Sequence, residues 1–396
     1  MKISPPETKA RKFPIIYTVT LVLSVLFIIL GNRAAVGGRA VFGQTGDQPF
    51  FRAKVLSVLD PIRNDYEAAE MDFSTTVVPF KAKALSGVNR GKTVECQQQI
   101  DNMFALTIPI VQKGDTILVD AVTEEATGET TNIMYDYERT GPLLLLAFLF
   151  GLLVVLFGRK KGVDTVISLL LTMAAIFTVL IPAVMTGHNI YTWTMMVCAF
   201  IIIENLLLVQ GASKKSLTAA AGCLGGVLAA GLIMLLTKGP MHITGLFDEE
   251  SLYVAQLNPE NPIDIKAVVF CMILIGSVGA LMDVSMSIAS ALEEVQENSP
   301  GITRAKLMQS GFEIGKDMIG TMANTLILAY IGGSLSVIIL MVAYSGNLSQ
   351  IINKEMIAVE ILNSLAGALS VVGAIILTSV ICAMVYHRTS TKHPAA

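Results

Sequence analysis

The sequence predicts an α-helical polytopic membrane protein of about eight transmembrane helices, with a small extracytoplasmic β-rich domain near its start. Three observations predict it. Of 396 residues, 53% are hydrophobic and only 15% charged, and the apolar residues come in membrane-length runs instead of amphipathic stripes. Lys and Arg collect in alternate interhelical loops. Residues 33–140 break the apolar pattern and take on strand composition.

A helix needs roughly 20 apolar residues to cross the hydrocarbon core. That rule places spans near 14–31, 142–158, 164–183, 191–210, 217–236, 265–284, 319–342 and 356–385. With the N-terminus in the cytoplasm, Lys2, Lys9, Arg11, Lys12, Arg159, Lys160, Lys161, Lys214, Lys215, Arg304, Lys306, Lys316, Arg388 and Lys392 all fall inside. The short outer loops then hold only Lys238, Lys266 and Lys354. This asymmetry fixes an eight-span topology with both termini cytoplasmic. The domains follow: 1–32 is the cytoplasmic N-terminus and first span, 33–140 the outer domain, 141–388 a seven-helix transmembrane domain and 389–396 a cytoplasmic tail. The first span reads as an uncleaved anchor, because its apolar run from Pro14 to Leu30 exceeds the about 7–15 residues of a signal-peptide core. A signal peptide is the alternative, since small residues (Ala34, Ala35, Gly37, Gly38) follow it.

In residues 33–140, the runs Arg52-Ala-Lys-Val-Leu-Ser-Val-Leu59 and Thr75-Thr-Val-Val-Pro-Phe-Lys-Ala-Lys-Ala-Leu85 have strand composition. Ser86-Gly-Val-Asn-Arg-Gly91 and Lys113-Gly-Asp115 supply the turns. A compact β-barrel or sandwich is expected. Its 11 basic and 15 acidic residues disfavour anionic partners and identify none. Of the five cysteines, Cys198, Cys223, Cys271 and Cys382 lie in apolar runs and only Cys96 in a polar region, so no disulfide, metal or other cofactor is called for. The net charge of −3 and the lack of long basic clusters argue against nucleic acid. Residues 289–316 are polar enough to leave the bilayer and carry the breaker Pro300-Gly301, which reads as a cytoplasmic helical elbow.

Charged groups inside spans cost roughly 2.5–3.5 kcal/mol at the helix centre on insertion scales, so each is a candidate site. Asp283 stands on a stripe with Gly276, Gly279, Ser287 and Ser290, where small residues invite a neighbouring helix and an acid faces the bundle interior. Asp317, Thr321, Asn324 and Gly332 share a face of the next span, with Thr325 beside it. These groups bond across to Asp283 either as helix glue or as ion ligands. Glu360, with Asn363 and Ser364, clusters near the outer end of the last span, where an acid can simply be wet. Glu204-Asn205 sits in the inner half of the fourth span, within reach of Lys214 or Lys215, and both structural pairing and function suit it.

Enzyme chemistry finds little support. Gly332-Gly-Ser334 lacks a histidine at its depth to activate the serine, only one aspartate is deep, and there is no zinc or phosphate-loop motif. The sequence therefore points away from catalysis, toward an ion- or proton-coupled permease with Asp283 as its coupling acid. The competing reading is a non-enzymatic accessory or assembly protein whose outer domain binds a partner.

The stretches Gly276-Ser-Val-Gly-Ala-Leu-Met-Asp-Val-Ser-Met-Ser-Ile-Ala-Ser290 and Gly315-Lys-Asp-Met-Ile-Gly-Thr-Met-Ala-Asn-Thr-Leu-Ile-Leu-Ala-Tyr-Ile-Gly-Gly333 resemble the YibE/F-like membrane proteins of Gram-positive bacteria. The resemblance spans most of residues 140–386 and implies a multi-pass protein of the bacterial cytoplasmic membrane, a family without an established activity. The pattern is also distantly similar to the permease helices of SecF and the resistance-nodulation-division superfamily. That similarity implies a mid-membrane aspartate facing a Thr/Asn-bearing helix, here Asp283 with Thr321, Asn324 and Thr325.

Overall fold

A computed structural model describes residues 7–37, 50–68, 71–101, 108–123, 130–258, 262–299, 301–344 and 347–390. The chain divides into two compact units, Phe42–Leu153 and Met1–Val41 with Val154–Ala396.

In the first unit, β1 (Phe51–Val58), β2 (Ile62–Ala68), β3 (Met71–Ala84), β4 (Thr93–Asp101), β5 (Thr116–Thr123) and β6 (Thr130–Tyr137) form one sheet in the order β1-β5-β6-β4-β3-β2. An additional β1–β3 pairing closes it into a small barrel, as one of the two expected architectures requires. The 14-residue β3 makes closure work, because one edge serves two partners: Met71–Val77 pairs with β2 and Phe80–Ala84 with β1. Pro79 sits at the handover, where its missing N–H costs no ladder bond and its carbonyl accepts from Leu59 N at 2.9 Å. Alternate residues Phe51, Ala53 and Val55 of β1, and Val78, Phe80, Ala82 and Ala84 of β3, fill the interior. The buried amide of Gln98 accepts Val111 N–H at 2.9 Å and donates to Pro109 O at 3.0 Å, so the barrel's polar core group is satisfied. Both expected turns form, with Gly87, Gly91 and Gly114 at positive φ. Cys96 is free and buried, and burial pushes its thiol up to about 12.

The helices are α1 (Glu7–Val36), α2 (Thr140–Gly158), α3 (Lys160–Ala175), a π turn (Ile176–Leu180), α4 (Ile181–Met185), α5 (Ile190–Gln210), α6 (Lys214–Thr237), α7 (Glu249–Gln256), α8 (Ile265–Asn298), α9 (Arg304–Gly333), α10 (Leu335–Tyr344), α11 (Leu348–Ile352) and α12 (Glu355–Ser390). Seven helical stretches among the described residues are long and apolar enough to cross a membrane, and α9 with α10 supplies an eighth if the two count together. That last pair corrects the sequence reading. The expected straight span at 319–342 bends by 65° between α9 and α10, at Ser334. At the bend, after the consecutive glycines Gly332 and Gly333, Ser334 N–H donates to Tyr330 O and Ile338 N–H to Ser334 O. The elbow is helical on both sides: α8 runs on to Asn298, Gly301 turns the chain at φ +91°, and α9 restarts under a Thr303 cap.

Helix α12 is the hub, packing on α6, α8 and α9. Two Gly-x-x-x-Gly pairs bring its neighbours close. A Cβ on Gly222 or Gly226 of α6 would strike Thr378 or Ala374, and one on Gly311 or Gly315 of α9 would strike Ser379 or Ile375. Helix α1 joins the same unit at the π turn, which leaves the Thr178 carbonyl open to Asn32 Nδ2 at 2.6 Å. Gly31 lies directly against Val179 there. Thr186 Oγ1 donates to Ala35 O at 2.7 Å, fastening the end of α1 as well.

Candidate functional site

The most deeply buried acid of the helical unit is Glu204 on α5, 1% exposed. The Ser168 hydroxyl of α3 donates to Glu204 Oε2 at 3.0 Å and accepts Asn205 Nδ2–H at 3.0 Å. Glu204 Oε1 is buried without a hydrogen-bond partner. One helical turn before Ser168, on the same face of α3, Asp164 is 6% exposed and hydrogen-bonds the Tyr17 hydroxyl of α1. Tyr17 with Asp164, and Ser168 with Glu204 and Asn205, thus make two polar groups one turn apart along α3, and Ser168 is itself fully enclosed. Earlier on α5, Val197, Cys198 and Ile201 are all buried and apolar. Beyond them lies Thr194, whose hydroxyl is buried and unpartnered. The arrangement suits a proton or small cation, since an unneutralised carboxylate in a dry interior is costly.

Glu204 is one of the sequence's candidates, and the lysine pairing that is one of its two readings does not form with Lys215. Lys215 Nζ pairs with Glu293 at 3.5 Å, and Glu204 makes no ion pair among the described residues. Asp164 and Ser168 were missed. Asp164 is the first residue of the span expected at 164–183, next to Arg159, Lys160 and Lys161. Its i, i+4 spacing to Ser168 was the available signal.

Asp283 requires a correction. Gly279, Asp283 and Ser287 of the expected stripe lie on the exposed face of α8, and only its Gly276 end meets a neighbour, the Tyr330 side chain of α9. The buried face is Leu274, Val278, Leu281, Val284 and Ile288. Bulky residues on that side interlock with α6 and α12, which turns the small-residue stripe outward. Asp283 has no hydrogen-bond or ion-pair partner among the described residues. Asp317, Thr321, Asn324 and Thr325 are exposed on α9 as well. The Thr321 and Thr325 hydroxyls donate back to Met318 O and Thr321 O of their own helix instead of crossing to Asp283.

Of the last pair of candidates, Glu360 lies beside the bend in the α9–α10 segment. A cavity of about 170 Å³ is lined by Tyr330, Ser334, Glu360 and Ser364 among isoleucines. The Tyr330 hydroxyl is buried and unpartnered, and Asn363 is 2% exposed with Oδ1 unpartnered. Interrupted transmembrane helices place ion and substrate sites in this way.

A bundle of apolar, lipid-length helices with enclosed carboxylates and a bent span defines an integral membrane protein of the multi-pass class. The family model described as YibE/F-like protein matches residues 146–388, and the chain belongs to that family. The match takes in Asp164, Glu204, Asp283, Asn324 and Glu360, while Tyr17 and the barrel lie outside it. No curated protein and no solved structure matches the chain.

Proposed function

We propose that this chain is a proton- or cation-coupled permease of the bacterial cytoplasmic membrane, and that Glu204, in place of Asp283, is its coupling carboxylate. Both termini are cytoplasmic on this reading, from the lysine and arginine asymmetry, and the barrel stands outside. The observation that carries the proposal is the enclosed Glu204 carboxylate, with one oxygen held by Ser168 and the other unpartnered. An intramembrane acid without an ion-pair partner is expensive to retain and marks an ion or proton route. The bend in the α9–α10 segment, beside Glu360, supports the same reading. No catalytic or cofactor chemistry is assigned.

The test begins with a growth or flux phenotype of a deletion strain. Glu204→Gln, which keeps shape and hydrogen bonding, should insert normally and fail to complement, while Asp283→Asn complements. On the purified protein, acid-minus-alkaline infrared difference spectra should contain a carboxyl band that Glu204→Gln abolishes. Full complementation by Glu204→Gln together with an unchanged spectrum would reject the coupling role.

A second reading, a membrane assembly protein, has one observation in its favour. The polar stripes carrying Asp283 on α8 and Asn324 on α9 are exposed in the single chain, and lipid covers such faces at a cost. That reading gains if deleting the barrel abolishes the phenotype while Glu204→Gln leaves it intact.

A further inference from the structure

A groove of about 670 Å³ opens between α5, α6 and α8 at the end of the bundle where α6 finishes. Its volume is that of sites enclosing a drug-sized ligand. The floor is made by Gly231, where a Cβ would come within 3.2 Å of Phe270, and by Phe270 itself. The walls are apolar, and Leu228, Leu232 and Leu235 are open to whatever surrounds the helices, at 61%, 57% and 46% exposed. In a membrane-spanning helix that surrounding is acyl chain.

The groove's one ionic group is Lys238, at its rim. Lys238 Nζ reaches the Tyr191 hydroxyl at 3.4 Å and lies 5.2 Å from that ring's centroid. It pairs with no carboxylate among the described residues. An ammonium has three donor hydrogens, and one long bond to a phenol leaves two of them free. Lys238 caps an apolar 24-residue helix, the depth at which a lysine meets lipid headgroups. Tyr191 beside it has the amphipathic character of interfacial aromatics.

We infer that this groove binds one acyl chain of a membrane lipid whose anionic headgroup is held by Lys238 and Tyr191. The apolar slot alone would take any lipid chain. The uncompensated cation at its mouth selects negative charge.

The full-length protein in detergent is offered phosphatidylglycerol and phosphatidylcholine of identical acyl chains, and retained lipid is counted by native mass spectrometry. Phosphatidylglycerol should be favoured about fivefold at one tightly held position, the factor one interfacial lysine contributes. Lys238→Gln should remove that preference, and Lys161→Gln, on a different loop, should leave it. Leu228→Trp, which adds bulk to an exposed wall without entering the core, should weaken both lipids together. Equal retention of the two lipids by the wild type, or an unchanged preference in Lys238→Gln, overturns the inference. So does displacement of phosphatidylglycerol by inorganic phosphate alone, because the site would then read the anion without the chain.

Discussion

Alanine at Gly226 and alanine at Gly279 are the same chemical change on two long helices of one bundle, and the structure assigns them opposite signs. Each substitution gains up to about 1 kcal/mol of helix propensity. At Gly226 the new methyl would lie 2.7 Å from Leu281 Cδ2, 2.9 Å from Ala374 Cβ and 3.2 Å from the Ser370 carbonyl oxygen. Leu281 is fully enclosed and a backbone carbonyl cannot rotate away, so α6 and α12 must separate. Overpacking of this kind costs about 1–3 kcal/mol, which outweighs the propensity gain and leaves about 1 kcal/mol of net loss. At Gly279 nothing lies within 4 Å, so the gain stands alone. The two variants should differ by about 2 kcal/mol, roughly a thirtyfold ratio in the unfolding equilibrium. Reversible unfolding in mixed detergent micelles, followed by tryptophan emission from Trp193, reads that difference. Equal destabilisation by the two alanines would mean that the Gly279–Asp283 stretch is packed in the folded chain, and the outward placement of Asp283 would fall with it.

Further expected outcomes concern the barrel, the first helix and one loop. Cys96, with its thiol raised from an ordinary 9.0 to about 12 by burial, should resist a thiol reagent at pH 8 until the barrel unfolds. The sign follows from the raised value: the protonated thiol's contribution to stability is complete below pH 9 and is lost as pH climbs toward 12. A Cys96→Ala variant should therefore show a flatter alkaline unfolding profile, and matching profiles would contradict the burial. Asn32→Ala strips the π-turn carbonyl of Thr178 of its partner and should cost about 1 kcal/mol in the same micelle assay. No loss there would detach α1 from the bundle. The Glu355 carboxylate accepts from Thr244 N, Thr244 Oγ1 and Gly245 N. Glu355→Ala should speed proteolytic cleavage near residues 239–247 severalfold, whereas an unchanged rate would show that the loop is held by other contacts.

The helices were legible because lipid imposes a length, and seven of the eight expected runs fall in helical stretches long and apolar enough to cross a membrane. The bend at Ser334 was not, because two glycines inside an apolar run read equally well as tolerated in a membrane helix. In the barrel, the local turns at Gly87, Gly91 and Gly114 were readable, while closure was not. Closure depends on the pairing of β1 with the far half of β3 and on the parallel contact of Gln97 with Ile133, both distant in sequence.

The candidate site divides along the same physical line. Glu204 was visible because a lone acid in an apolar run has few harmless explanations. Asp283 met that criterion too, and only its direction was misjudged. Small residues along a helix show that a partner can approach on that side without showing that one does. The bulky residues of α8 decide the matter, since Leu274, Leu281 and Ile288 must be covered and cover them fully only from the opposite face. The glycines that do mark close helix crossings are Gly222 with Gly226 and Gly311 with Gly315, and both pairs converge on residues 374–379 of α12. That helix is therefore clamped at its middle from two sides, by α6 and by the first half of α9. Glu360 and Asn363, more than two turns earlier on α12, lie outside the clamp, and Glu360 lines the cavity beside the bend at Ser334. The close-packed middle of α12 and the Glu360 end that faces the bend thus belong to one continuous helix, with its carboxylate outside the clamp.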